Sequence, residues 1–324
     1  MLSSQGRLVA AKSSSVSSIA ARALSTSIAS ASSSTPVKSA GVPLTRAGDD
    51  AVATHTLAKW SGGPVSRAGT GGRSSVSGVV ATVFGSTGFI GRYLVNRLGR
   101  VGSQLILPYR GDEHAYRHLK PMGDLGQFSF PFYHLRDKDT VKRLVEHSNV
   151  VFNLVGQEFA TRNFSLHDVH VTGAETIARA CQEAGVGRLI HVSALNASTE
   201  SRSPFLQSKA LGEQAVLAAF PNATIIRPAT LFGPEDRLFN RLSVPMRTPF
   251  GVPLQNYGET RKQPIYVVDV ARALIRAMEE RTTAGKTFEL VGPKEYTTAQ
   301  LLQYMCDMAR RPMRAFHVPS EIAE

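Results

Sequence analysis

From residue 79 onward, apolar and polar positions follow two alternating rhythms. Residues 79–84, 105–107, 128–132, 150–155, 188–193 and 224–227 are short runs dense in Val, Ile, Leu and Phe. Runs that dense suit strands covered on both faces rather than strands with one wet side. Between them, apolar residues recur every three or four positions, as Ile90, Leu94, Val95 and Leu98 do. That spacing predicts a helix with one face against a sheet. Further helices are expected over 139–146, 166–184 and 208–220. Pro131 places the 128–132 strand at an edge or an end. The chain then reads as irregular from Pro228 to Gln263. After that come a strand at 265–268, a helix over 269–280, a strand at 287–290 and a helix over 298–310 with Thr298 as N-cap.

Strands alternating with helices predict an α/β fold, a Rossmann-type doubly wound parallel sheet, with the late elements as a small C-terminal lid region. Its first turn is Gly85-Ser86-Thr87-Gly88-Phe89-Ile90-Gly91, set between a strand and a helix. In such a βαβ setting the first glycine permits a tight turn. The second lets the backbone approach a pyrophosphate, and the third lets the helix pack on the strand. The helix N-terminus offers free N–H groups and a positive dipole end to the phosphates. After the second strand come Tyr109, Arg110, Gly111 and Asp112. An arginine there suits the 2′-phosphate of NADP(H), and an acidic residue suits the ribose 2′-OH of NAD(H). Arg110 favours NADP(H). With Asp112 as the ribose ligand and Arg110 as a solvated loop charge, the cofactor would be NAD(H).

Charge and composition divide the 324 residues further. Residues 1–48 are dominated by Ser and Ala, have no Asp or Glu, and carry Arg7, Lys12, Arg22, Lys38 and Arg46. That is the composition of an organelle transit peptide, with cleavage expected between about residue 25 and residue 60. Removing those five charges from the net +12 leaves +7, spread along the chain. Spread charge gives no dedicated nucleic-acid patch. Residues 49–76 read as a Gly- and Ser-rich linker or arm carrying Trp60, and 77–324 as the dinucleotide-binding domain with lid elements within 228–324. Cys181 and Cys306 are far apart, which fits neither a disulfide framework nor a zinc site. No histidine pair has a metal spacing, and no metal is expected. No apolar run approaches the ~18 residues that suggest a transmembrane segment.

The chain resembles the extended short-chain dehydrogenase/reductases. More narrowly, it is similar to the dehydrogenase-like accessory subunits of mitochondrial respiratory complex I. The stretches that carry the likeness are GGRSSVSG at 71–78, PMGDLGQ at 121–127, RDKD at 136–139 and HSNVVFNLVG at 147–156, followed by EAGVGRLIHVSALNA at 183–197, FGPEDR at 232–237, KQPIYVVDV at 262–270 and ELVGPKEY at 289–296. The resemblance implies a cofactor pocket lined by Gly85, Ser86, Thr87, Gly88, Phe89, Ile90, Gly91, Arg110, Leu154, Val155, Gly156, Ser193, Lys209 and Pro228. It also implies that residues 1–48 are a mitochondrial transit peptide, with other complex I subunits as partners and a place on the matrix side of the inner membrane near the quinone region, with peripheral membrane contact at most.

Reductases of this kind use a Tyr-x-x-x-Lys pair on one helix face, the tyrosine serving as general acid and base. Here the pair reads Phe205 and Lys209, and the serine of the fifth strand falls at Ala194, just after Ser193. Two further departures are His134, where many relatives place an adenine-contacting aspartate, and His170, where they place an asparagine. Loss of a positioned proton transfer costs roughly 10²–10⁴-fold in rate. The expectation is therefore a non-catalytic subunit with NADP(H) as a structural cofactor and no catalytic residue. The competing expectation is an active NAD(P)-dependent epimerase, dehydratase or reductase in which Tyr257 or Tyr266 replaces the missing donor. An RNA-binding role would rest on charge alone.

Overall fold

The structure is a computed structural model that describes residues 76–248 and 250–318. The leader expected at 1–48 and nearly all of the expected 49–76 arm lie outside the described residues. The first half runs β1 (Val80–Phe84), α1 (Phe89–Val101), β2 (Gln104–Ile106), β3 (Phe128–Ser129), α2 (Lys138–Val145) and β4 (Val150–Asn153). It continues through α3 (Gly173–Glu183), β5 (Arg188–Val192), α4 (Pro204–Ala219) and β6 (Thr224–Pro228). These strands, with Thr287–Leu290 beyond β6, form one seven-stranded parallel sheet. Its order is 287–290, β6, β5, β4, β1, β2, β3. The doubly wound sheet expected from the alternation is present, and the order reverses between β1 and β4.

Both faces are covered, which explains the continuous apolar runs. On one face α1 places Leu94, Val95 and Leu98 with Val270, Leu274 and Met278 of the helix Val267–Glu279. They cover Val83, Phe152 and Ile190 of the sheet. On the other, Ile177, Ala178 and Cys181 of α3 and Val216 of α4 cover Phe84, Val151, Leu189 and Ile225. Both cysteines are buried free thiols.

One charged side chain joins early and late parts of the chain. Arg188, at the start of β5, is buried. Its guanidinium donates to the carbonyls of Ala277, Glu280 (3.0 Å) and Arg281 (3.3 Å) and to Thr283 Oγ1. It thereby takes one open carbonyl of the last turn of the helix Val267–Glu279, that of Ala277, and two just beyond its end, a place where positive charge is also favoured by the helix dipole.

Several boundaries differ from the sequence expectation. The third strand holds only Phe128 and Ser129, because Pro131 cannot donate to a ladder. The helix expected over 208–220 starts at Pro204, where the ring's missing N–H costs nothing at the first helical position. The helix expected over 166–184 opens as a wider π-type turn over Asp168–Thr172. The strand expected at 265–268 stops at Tyr266, and the helix begins at Val267. The stretch read as irregular after Pro228 contains the strand pair Leu231–Phe232 with Ile265–Tyr266, the helix Leu238–Ser243, and the strand Val252–Gln255 paired with Ala315–Val318.

The expected N-cap, Thr298, is the first helical residue of Thr298–Met308; the cap is Thr297. Thr297 Oγ1 accepts from Gln300 N at 3.2 Å, and Gln300 Oε1 accepts from Thr297 N at 2.9 Å. This is a reciprocal capping box. Thr297→Ala is expected to lower unfolding stability by about 1 kcal/mol, read as a shift of the urea midpoint at unchanged slope.

Candidate dinucleotide site

The candidate residues meet at the C-terminal edge of the sheet, at the reversal point between β1 and β4, where open α/β sheets hold their ligands. The turn after β1 is held by its own backbone. Gly85 has φ +77°, and a β-carbon there would stand 2.9 Å from the Leu154 carbonyl group. Gly88 N donates to Gly85 O at 3.1 Å, and Gly88 caps α1 without a side chain. Arg92 N, donating to Gly88 O at 3.2 Å, makes the first helical bond of α1. The N–H groups of Phe89, Ile90 and Gly91 precede it, as donors without an intrahelical partner. Beside them Ser86 is buried with no hydrogen-bond partner for its Oγ among the described residues. A cradle closed to side chains, with free N–H groups and an orphan hydroxyl, fits a dinucleotide pyrophosphate.

The other expected residues come in from neighbouring strands. Leu154 N donates to Phe84 O at 3.0 Å, which places Leu154, Val155 and Gly156 directly against the glycine turn. Ser193 follows β5 and is buried, its Oγ also without a partner among the described residues. Its N–H donates to Ile226 O at 2.8 Å, while Pro228 O accepts from Leu195 N at 3.0 Å. Lys209 Nζ reaches to 3.5 Å of the Val192 carbonyl, and a β-carbon on Gly156 would lie 3.1 Å from it. Arg110 stands apart, four residues beyond the end of β2, exposed, with its guanidinium 5.0 Å from the centre of the Phe164 ring. Arg136 lies 4.6 Å from the same ring. Asp112 is exposed two residues on.

Phe205 sits in the first turn of α4 and packs edge-on against His170, ring centres 5.5 Å apart. The His170 proton is assigned by its partners. Gln157 N donates to Nε2 at 3.1 Å, so the proton is on Nδ1, which donates to Ser208 Oγ at 2.8 Å. Ser208 Oγ in turn donates a hydrogen bond to the Phe205 carbonyl at 2.8 Å. Burial, aided by the Lys209 charge, holds the His170 ring down to about 3. His191 on β5 is likewise buried, and burial followed by Lys209 and His170 holds it at about 3. Burial brings Lys209 itself down to about 8, with Glu213 pulling the other way. The Glu213 carboxylate is already committed to Arg227, through contacts of 3.0 and 2.7 Å. The layer around Lys209 therefore contains two neutral imidazoles and no free carboxylate to take its proton. Tyr257 stacks on His317 with 3.9 Å between ring centres, and Tyr266 packs 5.3 Å from Phe232. Neither ring touches Phe205 in a ring pair.

Residues 81–290 match the profile of the NAD dependent epimerase/dehydratase family. The chain belongs to that family. It is 51% identical over 252 residues to the mouse (Mus musculus) NADH dehydrogenase [ubiquinone] 1 alpha subcomplex subunit 9, mitochondrial, covering 78% of this chain and 67% of the relative. The Arabidopsis thaliana protein of the same name is 48% identical, over 84% of this chain and 68% of its own length. The Neurospora crassa NADH-ubiquinone oxidoreductase 40 kDa subunit is 43% identical, over 86% and 71%. Among solved structures, UDP-glucuronic acid 4-epimerase from Bacillus cereus in complex with NAD has the same fold, with a TM-score of 0.66 at 17% identity over 74% of this chain and 87% of that one.

Sequence reasoning missed His191, the Glu213–Arg227 pair and Glu158, whose carboxylate pairs with Arg237 and Arg241. The last two depend on side chains from distant segments, and no local spacing marks them. His191 carried a signal: an ionisable residue between Ile190 and Val192 of β5. Among the described residues no group of three or more His, Cys, Asp or Glu is placed to hold a metal, and no helix is long and apolar enough to cross a membrane.

Proposed function

We propose that this protein is a non-catalytic accessory subunit of mitochondrial respiratory complex I that holds NADP(H) as a structural cofactor. The observation that carries the reading is Phe205. It stands where the family's proton donor belongs, packed on a neutral His170, while the glycine cradle and Lys209 are retained. A phenyl ring has no proton to give, so hydride transfer at this site would leave the substrate oxygen without its acid. What remains is binding, and binding stabilises the folded chain by about 2.7 kcal/mol at a hundred times Kd. The relatives' names supply the assembly and the organelle. The matrix face of the inner membrane and the quinone region follow from the family resemblance.

The choice of NADP(H) rests on Arg110. Its guanidinium lies over the Phe164 face, an arrangement that orients a cation without using its hydrogen-bond donors. Arg110→Ala is expected to weaken NADPH binding about ten- to a hundredfold and to leave NADH affinity unchanged, since a charge-assisted hydrogen bond contributes roughly 1.5–3 kcal/mol. Titration of reduced-nicotinamide fluorescence with both nucleotides measures this. An equal loss for both would assign the 2′ position to another residue, Asp112 first. The assembly is tested by native sizing after mild detergent extraction of mitochondria. Migration with the large NADH-oxidising complex supports the subunit reading. Migration as a lone soluble monomer or dimer defeats it.

A further inference from the structure

One segment after β6, residues 233–241, is tied to both walls of the dinucleotide cleft. On the α1 side, Glu235 accepts from Tyr93 Oη at 2.7 Å and pairs with Arg92 at 3.4 Å. Both partners sit in the first turns of α1, directly after the glycine cradle. The Gly233 backbone passes close to the Phe89 ring of the same cradle. On the β4 side, Glu158 lies two residues beyond Gly156. Its carboxylate takes Arg237 at 2.9 Å through one oxygen and Arg241 through the other. The two arginines are four residues apart, around the start of the helix Leu238–Ser243, so they share one face.

The segment is itself held in shape. Asp236 is buried and accepts from the backbone N–H groups of Phe239 (3.1 Å), Asn240 (3.2 Å) and Gly233 (3.3 Å). Phe232 packs against Phe239 and Tyr266 at its root. The segment is thus a strap joined to α1 on one side and to the stretch after β4 on the other. Burial alone would raise the Glu158 carboxyl, but Arg237 and Arg241 outweigh it and hold it below its usual range. The carboxylate is therefore ionised at neutral pH.

We propose that Glu158 and the Arg237–Arg241 pair form a latch that limits how fast a dinucleotide enters and leaves this site. The inference rests on the dinucleotide reading above and deepens it, because a cofactor with a structural role must stay in place. Glu158 acts here as a positioning residue, through the strap. The pair is the part of the strap that can open: Glu158 is 39% exposed and each arginine 65%, whereas Asp236 is only 3% exposed. Opening the latch exposes three charges to water and breaks no buried contact.

A latch has a kinetic signature that a binding contact lacks. With the full-length chain, NADPH capture and release are followed by nicotinamide fluorescence, release being started with excess NADP⁺. Glu158→Gln is expected to speed capture and release alike, each about three- to tenfold, because both ion pairs of the latch are lost and exposed pairs are individually weak. Kd then stays within about twofold of its starting value, since both rates move together. Arg237→Gln with Arg241→Gln is expected to give the same acceleration, and adding Glu158→Gln to that pair no more, the coupling expected of groups that act only through each other. Release rates unchanged in both variants would overturn the latch. So would faster release with capture unchanged, which would make Glu158 an ordinary binding contact. If the wild-type chain binds neither NADPH nor NADH, the cofactor reading itself falls and the latch with it.

Discussion

Gly91→Ala is expected to unfold more easily than the wild type by about 2 kcal/mol and to lose measurable dinucleotide binding. Two effects of opposite sign compete. Alanine is the better helix former by roughly 1 kcal/mol, and Gly91 lies in the first turn of α1. Against this, the added β-carbon would stand 2.5 Å from the carbonyl oxygens of both Gly85 and Ser86 and 2.7 Å from the Ser86 carbonyl carbon. All three atoms are backbone, so no side chain can swing aside. Overpacking a well-filled site costs about 1–3 kcal/mol, and a backbone clash belongs at or above the top of that range. The clash wins, and relief comes by moving α1 away from the turn. That motion displaces the three open N–H groups from the position a pyrophosphate requires. Urea unfolding and NADPH fluorescence on the same preparation check both halves. Full stability with intact binding would show that the turn yields more easily than its geometry implies.

Acid should destabilise this protein well before its carboxylates titrate. His170 and His191 are both held down to about 3 in the folded chain, by burial first and then by the charge of Lys209. In the unfolded chain a histidine titrates near 6.5, so between about pH 6.5 and pH 3 the unfolded state binds more protons. Stability therefore falls as pH drops through that window. At pH 5 each ring contributes a loss of about 2 kcal/mol, or about 4 kcal/mol together. Lys209 acts at the other end. Held down to about 8, it costs the fold stability at neutral pH, and that cost fades as pH rises from about 8 toward its unfolded value near 10.4. Urea midpoints at pH 5, 7 and 9 should rise in that order. In His191→Phe the slope between pH 7 and pH 5 should shrink by about half. A flat profile in the wild type would remove the buried neutral imidazoles from the account.

The strands and the glycine turn were legible because their signals are local. Val79 to Gly91 carries a buried strand, a tight turn and a helix start in thirteen consecutive residues. β4 and β5 are buried along their whole length, and apart from Asn153, Arg188 and His191 their residues are apolar, so they could be read as strands. The start of α4 was misread although Pro204 marks it, because the apolar residues Phe205 and Leu206 gave no helical period of their own. Residues 229–263 resisted reading because their elements are short and their pairing is remote. Val252–Gln255 takes its partner at Ala315–Val318, some sixty residues on. Within the candidate site, the glycines, Lys209 and Phe205 stand in motifs. Glu158 stands in none, and only the fold brings it to Arg237 and Arg241.

The Arg188 guanidinium has a consequence for the order in which this chain can become a folded protein. β5 is in the middle of the sequence, but the carbonyls that receive its arginine belong to Ala277, Glu280 and Arg281, about ninety residues later. A polypeptide delivered from its N-terminus, by a ribosome or through a translocation pore, would present the centre of the sheet with that cation unmatched. The strand that closes the sheet, Thr287–Leu290, arrives in the same late instalment. The native partners of Arg188 and the seventh strand of the sheet are complete only once residue 290 has come through. Until then, an arrested or clipped chain would expose a half-built sheet with a bare positive charge in it, a form suited to recognition by chaperones and proteases rather than by partner subunits.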